Sequence, residues 1–167
     1  MPVAEKFPPG WEGKAPEKIW CAACRSYGLI WGIIGATVCA ELGEAGVKAV
    51  GNAMAKVAKK QAGKAFESGR FARNAKGMVE YMMLAEGTLG MIIESPEATE
   101  KRAVFRILQC PLHDVPQKET TPEVCSAYSM FEKTAARIAN PKLACTQTKV
   151  MSKGDPYCEW VFELEEV

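Results

Sequence analysis

At Gly90 the hydrophobic period of the chain changes, and that change limits the folds open to it. Before Gly90 apolar residues recur every three or four positions, as on one face of a helix; after it they alternate, as on a strand with one buried side. Trp20, Ala23, Tyr27, Ile30, Trp31, Ile34 and Val38 predict a helix running from Glu17 to near Leu42. Val50, Met54, Val57 and Phe66 predict a second over residues 47–66, and Met78, Met82 and Leu89 a third over 74–89, its face broadened by Val79, Met83 and Glu86. Past Gly90, residues 91–94 read as a short strand, Ser95-Pro96-Glu97 as a turn, and residues 102–109 as an alternating strand. Thr121-Pro122-Glu123 opens a fourth helix: Thr121 suits the N-cap, Pro122 the first turn, and Glu123 the positive end of the dipole. Its stripe is Val124, Tyr128, Phe131, Ala135 and Ile138, and Asn140-Pro141 stops it. Residues 143–151 and 157–165 then predict a hairpin. In its second strand Cys158, Trp160, Phe162 and Leu164 share one face, which is the apolar one, so Cys158 points inward. A helical first half beside a small antiparallel sheet with an inserted helix is the α+β class.

Length sets one domain: residues 1–16, rich in proline and glycine, read as an extended arm, and 17–167 as a single α+β unit. A net charge of +1 gives no basic footprint, so nucleic acid is not an expected partner. The polar, proline-rich start lacks the apolar stretch of a secretory signal, which makes cytoplasm the expected compartment. Residues 26–40 are uncharged and apolar, but these 15 residues fall short of the about 20 that a spanning helix needs. They read as a buried core helix, with no membrane partner expected. Gly28, Gly32 and Gly35 on that helix suit close approach of another backbone, and apolar surface left on it would suit a homodimer.

Seven cysteines is an odd number in a chain long enough to fold without disulfides. Cys110-Pro111-Leu112-His113 follows the strand ending at Gln109 and contains the chain's single histidine. Cys125 opens the fourth helix and Cys158 the last strand. If those strands are neighbours, Cys110, His113, Cys125 and Cys158 converge at one end of the sheet. Thiolate and imidazole ligands suit zinc or another transition metal. The same groups suit a reactive thiol, with His113 or Asp155 handling protons, and buried cysteines also serve as plain packing. Cys21-Ala22-Ala23-Cys24 sits within a helix and reads as structural, as do Cys39 and Cys145. Met82, with Met78 and Met83, would enclose a ligand, and Tyr128 and Asn140 are further candidate contacts. A glycine phosphate loop, a Gly-x-Ser-x-Gly elbow and a His-Glu-x-x-His motif are all missing, which argues against nucleotide enzymes, α/β-hydrolases and zincins.

Cys110-Pro111, Cys125, Asn140-Pro141, Thr148-Lys149, Gly154-Asp155, Cys158 and Phe162, in that order, resemble the L-2-amino-thiazoline-4-carboxylic acid hydrolase-like family over residues 95–162. The resemblance implies hydrolytic opening of a small sulfur- and nitrogen-containing ring, or of a related C–N bond, with Cys110, Cys125, Asn140, Asp155 and Cys158 as the positions carried over. There is a more distant likeness to 4-vinyl-reductase-type domains. It implies the alternative, a zinc-containing small-molecule-binding or sensor module without catalysis.

Overall fold

The computed structural model describes residues 15–113 and 121–165, so the expected arm lies, up to Lys14, outside the described residues. Helix α1 spans Pro16–Leu42 and α2 Glu44–Glu67, joined at Gly43, whose φ of 55° turns the chain back in one residue. Helix α3, Ala75–Gly87, is capped by Asn74, whose side chain accepts a hydrogen bond from the Gly77 N–H at 2.9 Å. Strands β1, Ile92–Ala98, and β2, Arg102–Gln109, follow; then α4, Pro122–Tyr128, α5, Met130–Ala139, β3, Leu143–Lys149, a 3-10 turn at Met151–Lys153, and β4, Cys158–Leu164. All strand pairs are antiparallel and the sheet order is β1-β2-β4-β3. The class is α+β, as the change of period at Gly90 requires.

The alternation in β4 points as expected. Phe162 stands opposite Ala103 and Trp160 opposite Phe105, all four buried beneath α2, α3 and α5 together with Met78, Met82, Ala135 and Leu143. The opposite face is polar. There Arg106 donates to the Glu159 carboxylate at 2.6 Å and to Glu94 at 3.1 Å, and Thr148 Oγ1 donates to Glu159 at 2.8 Å. These contacts explain how Glu159 is buried while sitting on the solvent side of the sheet.

Three expectations change. The turn predicted at Ser95-Pro96-Glu97 is strand: β1 runs through Pro96 with a bulge between Glu94 and Glu97. Proline survives there because β1 is an edge strand and the bulge removes the need for its N–H. The fourth helix is two, broken at Ser129, whose Oγ donates to the Ser126 carbonyl at 2.8 Å and whose N–H closes on Cys125 at 3.0 Å. This serine bonding back onto the preceding turn ends α4 and re-aims α5.

The third correction concerns α1. The residues it buries are Cys24, Gly28, Gly32, Gly35 and Cys39, a line of small side chains at helical spacing. A Cβ on Gly28 would lie 2.7 Å from the Pro111 carbonyl oxygen, and one on Gly35 2.7 Å from the Tyr128 hydroxyl. The large apolar stripe faces outward instead, with Ile30 55% and Ile34 48% exposed. Close approach selected the small residues, as the glycine pattern predicted, and so turned the bulky ones away. By length and composition α1 is long and apolar enough to cross a membrane, and only 22% of its most apolar window is buried. The expected buried core helix is therefore a surface helix.

Candidate functional site

A cavity of about 490 Å³ lies where one end of the sheet meets α1, α3, α4 and α5. Strand order builds it. Because β2 neighbours β4 in antiparallel register, with Ile107 opposite Cys158, the residue after β2 and the first residue of β4 share one sheet end. Cys110 and Cys158 both line the cavity, and Cys125, from the first turn of α4, joins them. Pro111 and His113, on the turn after Cys110, complete that wall, with the His113 N–H donating to the Cys110 carbonyl at 2.9 Å. Cys110, His113, Cys125 and Cys158 all line this one space.

Their chemistry differs from a reactive thiolate. Burial pushes the Cys110 thiol up to about 12, against the opposing pull of the Leu112 and His113 backbone N–H groups, and the Glu86 carboxyl reinforces the rise. Burial likewise raises Cys158 to about 11, opposed by the Met151 N–H, which donates to its sulfur at 3.3 Å. Cys125 is raised too, by burial, despite a hydrogen bond with Ser152. All three stay protonated near neutral pH, whereas a nucleophilic cysteine is a thiolate. Among the described residues, no three His, Cys, Asp or Glu side chains form a group able to hold a metal ion. No chemical step is therefore assigned to a metal held by Cys110, Cys125, Cys158 and His113. We predict that an alkylating reagent at pH 7.5 modifies exposed Cys21 at least about tenfold faster than Cys110 or Cys158, as followed by peptide mass spectrometry. Equal rates before and after unfolding would contradict the burial.

Of the other candidates, only Tyr128 lines the cavity, and its hydroxyl donates to the Trp31 carbonyl at 2.6 Å. Asp155 accepts from the Val150 N–H at 2.7 Å and holds the 3-10 turn. Asn140 donates to the Arg73 carbonyl at 3.1 Å and accepts from the Lys142 N–H at 3.0 Å, fixing the turn into β3. Met82 is fully buried in the core beneath the sheet.

The cavity's strongest chemistry comes from two residues that were not among the candidates. Glu86 of α3 and Glu132 of α5 are 4% and 6% exposed, hydrogen-bond one another through their carboxyls, and line the same space. Burial raises both. Glu132 reaches about 7, held back by a backbone hydrogen bond and then by the one it receives from Glu86, while Glu86 is driven higher by burial and by the Glu132 charge beside it. Near neutral pH the pair therefore holds a proton on Glu86, donated toward an ionising Glu132. The Trp160 indole N–H and the Tyr81 hydroxyl have no hydrogen-bond partner among the described residues, and both side chains line the cavity. Each such group left unpaired costs about 1–3 kcal/mol. Unpartnered polar groups gathered on one apolar-walled space are the pattern of a ligand site. A signal for the pair was present in the sequence: Glu86 falls four residues past Met82, and Glu132 four past Tyr128, each in phase with an inward stripe.

The fold is similar to that of a trafficking protein particle complex subunit 3 from Naegleria fowleri, solved covalently bound to palmitic acid. The two share a TM-score of 0.57 at 11% identity, over 87% of this chain and 97% of the other. No curated protein matches the sequence. The family model for L-2-amino-thiazoline-4-carboxylic acid hydrolase matches residues 20–162, reaching well beyond the C-terminal half in which the resemblance was read. Covering both the cysteine-bearing sheet end and the helices that supply Glu86 and Glu132, that match shows that the chain belongs to the L-2-amino-thiazoline-4-carboxylic acid hydrolase family.

Proposed function

We propose that the protein is a hydrolase that adds water to the C=N carbon of a small sulfur- and nitrogen-containing ring, with Glu86 and Glu132 moving the protons. The observation that carries this is the buried carboxyl pair, one member holding its proton and one ionising near neutrality, lining the cavity together. Two carboxyls with separated proton affinities supply an acid and a base in one place. As the water oxygen bonds to the ring carbon, Glu132 takes the water proton and Glu86 gives its own to the ring nitrogen. The tetrahedral carbon then carries a hydroxyl, and collapse to a carbonyl breaks a ring bond at that carbon. The departing ring atom takes the proton from Glu132, the hydroxyl proton returns to Glu86, and the pair is as it began. The protonated thiols of Cys110, Cys125 and Cys158 form a polarisable wall, suited to the sulfur side of such a ring.

The test is direct. Purified protein is incubated with L-2-amino-thiazoline-4-carboxylic acid and with 2-amino-2-thiazoline, and products are read by mass spectrometry. Gain of one water with ring opening is expected for at least one of them. Neither ring opening under any neutral condition would exclude the proposal. A second reading, a ligand-holding module without turnover, is favoured by the apolar part of the wall, where Trp31, Leu84, Leu89 and Phe131 stand. It draws further support from the fatty acid held by the Naegleria protein of similar fold. Saturable binding of a fatty acid without any ring opening would select that reading.

A further inference from the structure

We propose that the protein docks on anionic phospholipid bilayers, laying the outward stripe of α1 among the headgroups and setting the lysines of α2 against their charge. The stripe is Trp20, Tyr27, Ile30, Trp31 and Ile34, all exposed and at helical spacing. Between Lys18 and Glu41 the helix carries one charged residue, Arg25. An apolar face of this length left to water marks an interaction surface. The expectation of no membrane partner rests on a buried stripe, and the stripe is exposed. Helix α1 is long and apolar enough to cross a bilayer, yet its other face is tied to the fold. Pro111 and Tyr128 seat against Gly28 and Gly35, the Tyr128 hydroxyl donates to the Trp31 carbonyl, and the Trp20 indole N–H donates to the Thr88 carbonyl at 3.4 Å. A spanning helix would lose these contacts, whereas one lying in the interface keeps them.

Charge says which partner the face suits. From Ala45 to Phe66, α2 carries Lys48, Lys56, Lys59, Lys60 and Lys64 and neither aspartate nor glutamate, and all five lysines are exposed. The net charge of +1 conceals this run, because the acids lie elsewhere in the chain. Val57 joins the two features. It lines a surface hollow with Lys56, Lys59 and Lys60, and it lines the main cavity with Tyr27 and Trp31 of the α1 stripe. A second copy of the chain would bring the same lysine-bearing helix to the contact, whereas anionic headgroups bring the opposite charge. Tryptophan and tyrosine suit the headgroup level, where one end of each ring is wet and the other apolar. Tyr27, Trp31, Val57, Leu84 and Leu89 are exposed and also line the cavity, which puts its mouth beside the stripe. An apolar ligand dissolved in the bilayer would then enter without crossing water. The inference goes beyond the hydrolase reading and does not depend on it, since docking is the same whether the cavity turns its ligand over or only holds it.

Flotation of the full wild-type chain with lipid vesicles tests this. At about 50 mM salt, phosphatidylcholine vesicles with about one third phosphatidylserine should carry at least tenfold more protein than phosphatidylcholine alone, and at about 500 mM salt less than threefold more. Ile30→Ser combined with Ile34→Ser alters exposed positions outside the cavity wall and should cut binding to the anionic vesicles at least fivefold. Lys56→Glu combined with Lys59→Glu and Lys60→Glu should cut it at least as far. Circular dichroism verifies that both variants are folded. Wild-type flotation no greater than in a lipid-free control, equal binding to both vesicle types, or undiminished binding by either variant overturns the proposal. A lipid-free dimer that the double isoleucine variant dissolves, with no flotation of the wild type, assigns the stripe to a second copy instead. Ring opening has no part in this readout, so the hydrolase reading stands or falls separately.

Discussion

Replacing Glu132 by Gln should lower ring-opening turnover by roughly 10²–10⁴-fold, the range lost when a positioned general base is removed. Glu86→Gln should fall in the same range, because an amide keeps the hydrogen bond but has no proton to release. Both variants should remain folded, since each replaces a buried acid by a neutral group of the same shape and removes charge from a low-dielectric site. The pH dependence separates a proton-transfer role from a structural one. Glu132 ionises near 7, and only its ionised form accepts a proton from water. Turnover by the wild type should therefore fall as pH drops below about 7, and the residual turnover of Glu132→Gln should lose that limb. Turnover within threefold of wild type in Glu132→Gln would remove the pair from the mechanism.

The fold itself should be more stable at pH 5 than at pH 8. Glu132 has its folded-state pKa raised from 4.5 to about 7, so between those values the folded state holds a proton that the unfolded state has released. Its contribution is complete below the unfolded value and is lost as pH rises through the folded one. A shift of that size corresponds to about 3 kcal/mol for Glu132. Glu86, raised further by burial and by Glu132, works in the same direction. Tyr81, Cys110, Cys125 and Cys158 are raised by burial and stay neutral across this window. Glu159 and Glu123, whose values are lowered, change charge below it and act in the opposite sense only there. Urea midpoints at pH 5 and pH 8 measure the difference, and Glu132→Gln should flatten it. A higher midpoint at pH 8 would contradict the burial of the pair.

How much of this was legible in the sequence varied with the kind of force involved. Strand alternation placed Cys158, Trp160 and Phe162 inward because a half-buried sheet tolerates no other phase. Thr121 was readable as a cap from its neighbours alone, and its hydroxyl accepts the Val124 N–H at 3.4 Å. That Cys110 and Cys158 share one sheet end followed from which strands are adjacent. Their protonation did not, because it depends on burial beneath α1 and α3 that no local pattern states. The outward turn of α1 was misread for a related reason. A stripe of large apolar residues outweighs glycines in any periodicity, yet packing distance decides, and Pro111 and Tyr128 approach only where Cβ is missing. Glu86 and Glu132 were hidden by convention. A glutamate in phase with an apolar stripe is usually discounted as a solvated edge, and here that phase was the signal.

The kink at Pro96 bears on how the molecule behaves in a crowded solution. Strand β1 ends the sheet on one side, and an uninterrupted edge there would present a row of unsatisfied backbone groups to any extended chain that met it. Pro96 has no N–H to offer, and the bulge from Glu94 to Glu97 shifts the edge out of register, while Arg106 and Arg102 pair with the two glutamates that flank it. These features disfavour pairing of a second chain along this border. The sheet ends at β1 because its sequence denies growth, and the same irregularity that disguised the strand as a turn guards the protein against aggregation.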